Sequence, residues 1–97
     1  MNNLNLGFIG VGLMGLSLVK RLSYLDYKID AYDKNLKKLE PLKKLSNVRL
    51  NQKASEVSQN NNIIILCVDK TENVNEVVFG IDGIVNNAND KTIILDL

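Results

Sequence analysis

The sequence predicts an α/β fold: a doubly wound parallel sheet with strand order 3-2-1-4-5, placed between helices in a three-layer α/β/α arrangement. Short apolar segments alternate with segments of helical periodicity along the 97 residues, which is typical of parallel sheets built from right-handed βαβ crossovers. The segment IIILCV at 63–68 is apolar throughout, as a strand covered on both faces should be. Four glycines fall within residues 7–15, where the first strand would pass into the first helix.

Apolar spacing assigns the elements in the first part of the chain. Strands are predicted at 4–9, 28–32 and 48–50, and helices at 13–25, 34–45 and 54–59. Pro41 lacks the N–H that would bond back to Lys37, so we predict a kink or a fresh helix start there. Ser55 is the predicted N-cap of the third helix, because a serine side chain can accept a hydrogen bond from the first turn.

The remaining elements continue the alternation. They are a strand at 63–68, a helix at 72–79 closed by Gly80, a turn-rich connection at 80–90 and a strand at 92–97. No linker, repeat or low-complexity tract interrupts the order, so we predict one domain over residues 1–97.

Composition excludes several classes of function. The net charge is +1 and aromatic residues are 5% of the chain, so neither a nucleic acid nor a membrane is an expected partner. The absence of histidine from the sequence removes the commonest metal ligand and general base, and we predict no metal site. Cys67 is the single cysteine, which allows no internal disulfide and fits a cytoplasmic location; a packed thiol is expected there rather than a reactive one.

The glycines at 10, 12 and 15 form the G-x-G-x-x-G fingerprint of Rossmann-like folds, placed as required between a predicted strand and a predicted helix. Gly10 would permit the tight turn, Gly12 would let the backbone approach a pyrophosphate, and Gly15 would let the helix pack closely. Unpaired N–H groups at the helix start would face the anion. The predicted cofactor-binding residues of this turn are Gly10, Val11, Gly12, Leu13, Met14 and Gly15.

An acidic residue completes the fingerprint. Asp33 ends the second predicted strand, 18 residues after Gly15 (33 − 15), where a carboxylate accepts hydrogen bonds from the adenosine ribose. The same carboxylate would repel the 2′-phosphate of NADP, so NAD is the predicted cofactor. The alternative is that Asp33 only caps a helix after a glycine turn needed for packing. Lys34 belongs either to a solvated lysine face or over the adenine ribose, and we include it among the cofactor-binding residues.

The opening GFIGVGLMG, with its Met14-Gly15 pair, resembles the start of the β-hydroxyacid dehydrogenases. These include 3-hydroxyisobutyrate, tartronate-semialdehyde and threonate dehydrogenases, whose N-terminal domain is grouped with the NAD-binding domain of 6-phosphogluconate dehydrogenase. The segments VNEVVFGIDGI at 74–84 and TIILDL at 92–97 are similar to later parts of that domain. Gly12 and the Asp33-Lys34 pair replace the alanine and Asn-Arg usual in 6-phosphogluconate dehydrogenases, and they imply NAD.

The resemblance implies an oxidoreductase that transfers a hydride between a small 3-hydroxy acid and NAD. It implies that Cys67, Val68 and Asp69 line the cofactor, although the proline common near the last two is absent from this sequence. In the family, a catalytic lysine and a Ser-Thr substrate loop lie beyond the segment matched here. The resemblance therefore implies no catalytic residue in this sequence. We expect an incomplete cofactor domain that is inactive alone and forms homo-oligomers. The alternative is a non-catalytic module that senses NAD or supports assembly.

Overall fold

The computed structural model of the protein describes residues 4–67 and 93–96. Its elements in chain order are β1 (Asn5–Ile9), α1 (Leu13–Tyr24), β2 (Lys28–Tyr32), a 3₁₀ helix (Leu36–Leu42), β3 (Val48–Leu50), α2 (Ala54–Asn60), β4 (Ile63–Leu66) and β5 (Ile93–Asp96). The predicted helix at 72–79 and connection at 80–90 lie outside the described residues, as do both ends of the last predicted strand. Within the described ranges, no helix has the length and apolar character needed to cross a bilayer.

The five strands form one parallel sheet in the order β3-β2-β1-β4-β5, which confirms the predicted topology. The chain runs outward from β1 to β2 and β3, and then returns to place β4 on the other side of β1. The direction of winding therefore reverses between β1 and β4. In open α/β sheets, ligands bind beyond the carboxyl ends of the strands at this reversal.

The core is divided between the two faces of the sheet, as expected for three layers. On one face, α1 and the 3₁₀ helix cover the sheet, and the buried side chains are Phe8, Val11, Val19, Ile29, Ala31, Leu39 and Leu42. On the other face, α2 covers the sheet, and the buried side chains are Ile9, Ala54, Val57, Ile64 and Leu66. Alternate residues of β1 and β4 thus enter opposite cores, which explains why these strands are apolar at consecutive positions.

The helix predicted at 34–45 is present but shorter, and it is a 3₁₀ helix over Leu36–Leu42 with Pro41 inside it. The leucines recur every third residue, and a helix with 3.0 residues per turn places such residues directly above one another. Leu39 and Leu42 are buried by this arrangement. The Asn35 side chain caps the helix by accepting a hydrogen bond from the Lys37 N–H at 3.1 Å. One 3₁₀ helix runs through Pro41, so the kink or fresh helix start predicted there is not required to accommodate the proline.

The N-cap of α2 also differs from the prediction. The helix begins at Ala54 with Lys53 as its extended N-cap residue, so Ser55 lies inside the first turn. The Glu56 side chain instead accepts a hydrogen bond from the Gln52 N–H at 3.0 Å. A carboxylate in the first turn also interacts favourably with the helix dipole.

A buried polar cluster lies on the α2 side of the sheet, and nothing in the local sequence pattern predicted it. Asp30, in the middle of β2, accepts hydrogen bonds from Arg49 at 3.0 Å and from Asn61 at 2.8 Å. Asn51 donates a longer one at 3.4 Å. Burial by itself would raise the pKa of Asp30, but the hydrogen bonds from Arg49, Asn61 and Asn51 lower it below its usual value. These donors therefore stabilise the ionised carboxylate inside the sheet.

Candidate cofactor-binding site

The candidate site lies at the carboxyl ends of β1, β2 and β4. Two backbone hydrogen bonds bring these ends together: the Gly10 N–H donates to the Tyr32 carbonyl at 2.9 Å, and the Cys67 N–H donates to the Ile9 carbonyl at 2.8 Å. The glycine turn, the end of β2 and Cys67 therefore share one edge of the sheet. Val68 and Asp69, predicted to lie beside them, are outside the described residues.

Gly10 and Gly15 are required by the geometry of the turn itself. Gly10 has φ of +95°, a left-handed conformation that side chains other than hydrogen disfavour. A Cβ placed on Gly15 would lie 2.4 Å from the Gly10 carbonyl oxygen and 3.5 Å from the Cys67 Cβ. The start of α1 thus presses directly on the backbone of the turn, and a larger residue at position 15 would push them apart.

Gly12 differs from the other two glycines because the described structure places nothing against it. Its φ of −78° is open to any residue, and apart from Gly12 itself and its two chain neighbours no heavy atom of residues 4–67 and 93–96 lies within 4 Å of a Cβ built there. A glycine at this position therefore leaves free space next to the N-cap of α1. That space is where the fingerprint requires an approaching phosphate to be unobstructed.

The first turn of α1 presents backbone N–H groups to this space. The first bond of the helical pattern runs from the Leu16 N–H to the Gly12 carbonyl at 2.8 Å, so the preceding N–H groups have no carbonyl four residues earlier within the helix. In the described chain, the N-cap makes no side-chain hydrogen bond and the first turn holds no acidic residue. The helix start thus combines open space, available donors and a positive dipole end, which suits an anion.

Asp33 is attached to the glycine turn. Its Oδ2 accepts a hydrogen bond from the Val11 N–H at 2.7 Å, and its Oδ1 accepts one from the Asn35 N–H at 2.8 Å. The residue is only 8% exposed. The bond from Asn35 is a local backbone contact of the kind expected if Asp33 only caps the following helix, so that alternative is partly met. An ionised carboxylate has about four acceptor positions, so these two bonds leave acceptor capacity for ribose hydroxyls.

The other predicted residues of the turn contribute in different ways. The Val11 side chain is buried in the core, so only its backbone belongs to the site. Leu13 and Met14 are 90% and 60% exposed, and they form an apolar border at the helix start. Lys34 is exposed beside Asp33. The Cys67 side chain packs at the margin of the core that contains Phe8, in keeping with a packed thiol.

Sequence reasoning overlooked Asn35, whose N–H fixes one oxygen of Asp33 and whose side chain caps the 3₁₀ helix. The signal was present in the sequence Asp-Lys-Asn. Aspartate often accepts a hydrogen bond from the N–H two residues later in the chain, forming an Asx turn. In residues 4–67 and 93–96, no group of three or more His, Cys, Asp or Glu side chains could hold a metal ion.

The fold and the glycine turn together define a Rossmann-type domain with a dinucleotide-binding fingerprint. Residues 5–97 match the family described as the NAD binding domain of 6-phosphogluconate dehydrogenase. The chain belongs to this family, which makes it an NAD(P)-binding domain of the type found in dehydrogenases and reductases. The predicted resemblance is thereby confirmed.

Curated relatives agree with this assignment. The chain is 29% identical to the probable mitochondrial 3-hydroxyisobutyrate dehydrogenase of Arabidopsis thaliana, over 89% of this chain and 24% of that protein. It is 27% identical to the uncharacterized oxidoreductase YkwC of Bacillus subtilis, over 95% of this chain and 32% of that protein. It is also 27% identical to the cytokine-like nuclear factor N-PAC of Drosophila pseudoobscura pseudoobscura, over 87% and 14%. The chain thus spans 14% to 32% of the length of these relatives.

Solved structures confirm the fold class. An imine reductase from Myxococcus stipitatus in complex with NADP+ superposes with a TM-score of 0.86 at 22% identity, covering 96% of this chain and 31% of that one. The V8 variant of that enzyme in complex with NAD+ superposes with a TM-score of 0.80 at 19% identity, covering 99% and 32%. Since these similar structures hold both forms of the cofactor, they do not distinguish NAD from NADP for this chain.

Proposed function

We propose that the chain is the NAD-binding portion of a dehydrogenase that transfers a hydride between a small 3-hydroxy acid and NAD. The observation that carries the proposal is the joining of the open glycine turn to Asp33 through the Val11 N–H, at 2.7 Å. The bound nicotinamide would supply the hydride chemistry. The residues of this chain would bind the cofactor and orient it.

A dinucleotide would lie along this edge of the sheet from the end of β2, past the glycine turn, to the end of β4. The pyrophosphate would lie in the space beside Gly12, facing the N–H groups of Leu13, Met14 and Gly15. The adenosine ribose would lie at the end of β2, where Asp33 has acceptor capacity and Lys34 is exposed. The nicotinamide half would extend toward β4, where we propose that Cys67, Val68 and Asp69 line it.

NAD is proposed over NADP because of the charge on Asp33. Two unit charges about 4 Å apart repel by about 4 kcal/mol at an effective dielectric constant near 20, and the 2′-phosphate of NADP would stand next to this carboxylate. The exposed ammonium of Lys34 offsets little of that repulsion, since ion pairs in contact with water contribute only about 0–1 kcal/mol. The 2′-hydroxyl of NAD, in contrast, can donate a hydrogen bond to Asp33.

The substrate class is proposed from relatives named 3-hydroxyisobutyrate dehydrogenase. Residues 1–97 would form part of the cofactor domain, and the groups that hold the hydroxy acid and move its proton would belong to other parts of the complete protein. Self-association is also proposed, because Ile93 and Leu95 of β5 are 53% and 46% exposed. Apolar side chains of that kind favour association with another surface.

A non-catalytic nucleotide-binding module is the second candidate. One observation favours it: a relative of this chain is named as a nuclear factor rather than as an oxidoreductase. The two candidates agree on cofactor binding and differ on turnover. Following NADH formation by the complete protein with 3-hydroxyisobutyrate, glycerate and threonate separates them, because saturable turnover requires the enzyme and none is expected of the module.

Titration calorimetry of the 97-residue chain with NAD+ and with NADP+ tests the shared part of the proposal. We expect NAD+ to bind at least about tenfold more tightly, since a hydrogen bond to a charged group contributes about 1.5–3 kcal/mol. If neither NAD+ nor NADP+ binds, the proposed cofactor site is wrong. Tighter binding of NADP+ would make Lys34 the dominant residue and the Asp33 argument wrong.

A further inference from the structure

Asp33 connects the glycine turn to the end of β2 through a hydrogen bond from the backbone of the turn. Two consecutive N–H groups of the turn are directed at this strand end: that of Gly10 donates to the Tyr32 carbonyl at 2.9 Å, and that of Val11 donates to the Asp33 carboxylate at 2.7 Å. The second carboxylate oxygen is fixed from the other side by the Asn35 N–H at 2.8 Å. The carboxylate is therefore held in place by the backbone on both of its oxygens.

We propose that Asp33 is a positioning residue that holds the glycine turn in its binding conformation before a cofactor arrives, so that affinity for NAD and for NADP both depend on it. This inference rests on the proposed function of the same site. It differs from a simple charge filter in one consequence. Removing the negative charge at position 33 relieves the repulsion of the 2′-phosphate, but the same substitution loosens the turn, so the gain in NADP affinity is smaller than loss of the charge alone would give.

A carboxylate is the side chain that this arrangement requires. The N–H groups of Val11 and Asn35 approach two different oxygens, so both ends of the group must accept a hydrogen bond. An asparagine offers one acceptor oxygen and one NH₂ group, and the NH₂ group would face an N–H. Alanine would leave both N–H groups without this partner, at the cost of desolvating a buried donor.

The bond to Asp33 adds a directional restraint to the peptide group between Gly10 and Val11, whose carbonyl oxygen already lies against Gly15. Gly10 and Gly12 give the backbone on either side of Val11 unusual freedom, and within the described residues nothing contacts a Cβ built at Gly12. The buried Val11 side chain fixes which way that residue faces the core. It does not hold the Val11 N–H in one direction, whereas the hydrogen bond to Asp33 does.

The test compares Asp33→Asn with the matched control Asp30→Asn. Both residues are buried acids, with exposures of 8% and 6%. Asp33 follows the end of β2, whereas Asp30 lies in the middle of that strand, and the partners of Asp30 are side chains away from the turn. The first measurement is amide hydrogen exchange of Val11 without cofactor, relative to the amide of Cys67, which bonds to Ile9. The second is the Kd for NAD+ and for NADP+.

Asp33→Asn is expected to speed Val11 exchange relative to Cys67 and to weaken NAD+ by at least about tenfold, as for loss of a hydrogen bond to a charged group. It is expected to improve NADP+ binding by much less than the roughly thousandfold that relief of the repulsion alone would give. Asp30→Asn is expected to speed both amides together and to change either Kd by no more than about twofold, as for sites without shared partners. Asp33→Glu keeps two acceptor oxygens, and we expect it to restore part of the Val11 protection and of the NAD+ affinity.

The proposal is overturned if Asp33→Asn leaves the relative exchange of Val11 unchanged, or if it tightens NADP+ binding by the full roughly thousandfold that relief of the repulsion alone would give. Should Asp33→Asn fail to fold, Asp33→Glu gives the same decision: restored binding of NAD+ with no protection of Val11 would contradict positioning. Should the unmodified chain bind neither cofactor, the proposed function fails. The exchange comparison would still decide whether Asp33 holds the turn.

Discussion

Replacing Gly12 and Gly15 by alanine, one at a time, separates the binding role of the glycine turn from its packing role. The two residues lie three positions apart in the same motif, and their surroundings are opposite. A Cβ on Gly15 would meet the Gly10 carbonyl oxygen at 2.4 Å, whereas one on Gly12 would meet no atom of the described residues within 4 Å. The same methyl group should therefore have different consequences at the two positions.

For Gly15→Ala, the contact lies about 1 Å inside ordinary van der Waals distance, and it involves backbone that cannot rotate away. Overpacking of this kind costs about 1–3 kcal/mol, and the backbone contact places this site at the upper end. Alanine recovers up to about 1 kcal/mol through its higher helix propensity. We expect a net loss of about 2 kcal/mol, which lowers Tm by about 8–16 °C in a domain of this size.

For Gly12→Ala, we expect stability to change little. Alanine is a poorer N-cap than glycine by roughly 0.5–1 kcal/mol, and the lower entropy of its unfolded chain returns about 0.4–1 kcal/mol. Cofactor affinity should nevertheless fall by at least about tenfold, since about 1.4 kcal/mol is lost when the methyl group displaces a phosphate from the N–H groups of α1. The methyl group has no other neighbour in the described structure to disturb.

The assay pairs thermal unfolding, followed by circular dichroism, with calorimetric titration of NAD+. Gly12→Ala should leave the Tm unchanged and lower the affinity for NAD+, whereas Gly15→Ala should lower the Tm. Wild-type affinity in Gly12→Ala would show that the space beside Gly12 is not the phosphate site. An unchanged Tm in Gly15→Ala would show that α1 does not press on the turn as the structure describes.

Two further predictions follow from Asp30 and from the extent of the chain. The pKa of Asp30 lies below its usual 3.8 in the folded state, so on acidification the unfolded chain takes up a proton first. The contribution of Asp30 to stability should therefore be complete above about pH 4 and be lost as the pH falls below that. Urea unfolding at several pH values should show a weaker acid dependence in Asp30→Asn than in the unmodified chain. The 97-residue chain should give no NADH with any of the three hydroxy acids, because the proposed acid–base group belongs to another part of the complete protein and loss of such a group alone removes about 10²–10⁴ in rate. Clear turnover would place a catalytic group within this chain.

Patterns of neighbouring residues were sufficient to predict the sheet. The strand at Lys28–Tyr32 and the strand at Val48–Leu50 have the predicted bounds, and the order β3-β2-β1-β4-β5 is as predicted. Alternation of strands with helices restricts the chain to a few right-handed windings. The glycine spacing also identified the turn, because a tight turn and a close helix start need those residues whatever surrounds them.

The form of the segment after β2 was not predictable from the same patterns. Leucines at 36, 39, 42 and 45 are compatible with both a 3₁₀ helix and an α-helix. The choice depends on how deeply Leu39 and Leu42 enter the core formed with α1 and the sheet. That depth is set by packing, and a pattern along one segment does not contain it.

What the sequence by itself determined is therefore the class of fold, the place of the glycine turn and the acid that follows β2. Only the tertiary structure decided what this acid, Asp33, and the buried acid within β2, Asp30, contact. Asp33 meets a donor 22 residues earlier in Val11, and Asp30 meets donors 19 and 31 residues later in Arg49 and Asn61. Helix and strand preferences act over a few neighbouring residues, whereas these partners are selected by the register of the parallel strands and the packing of the helices. A buried carboxylate acquires its role from whichever N–H groups that register brings to it.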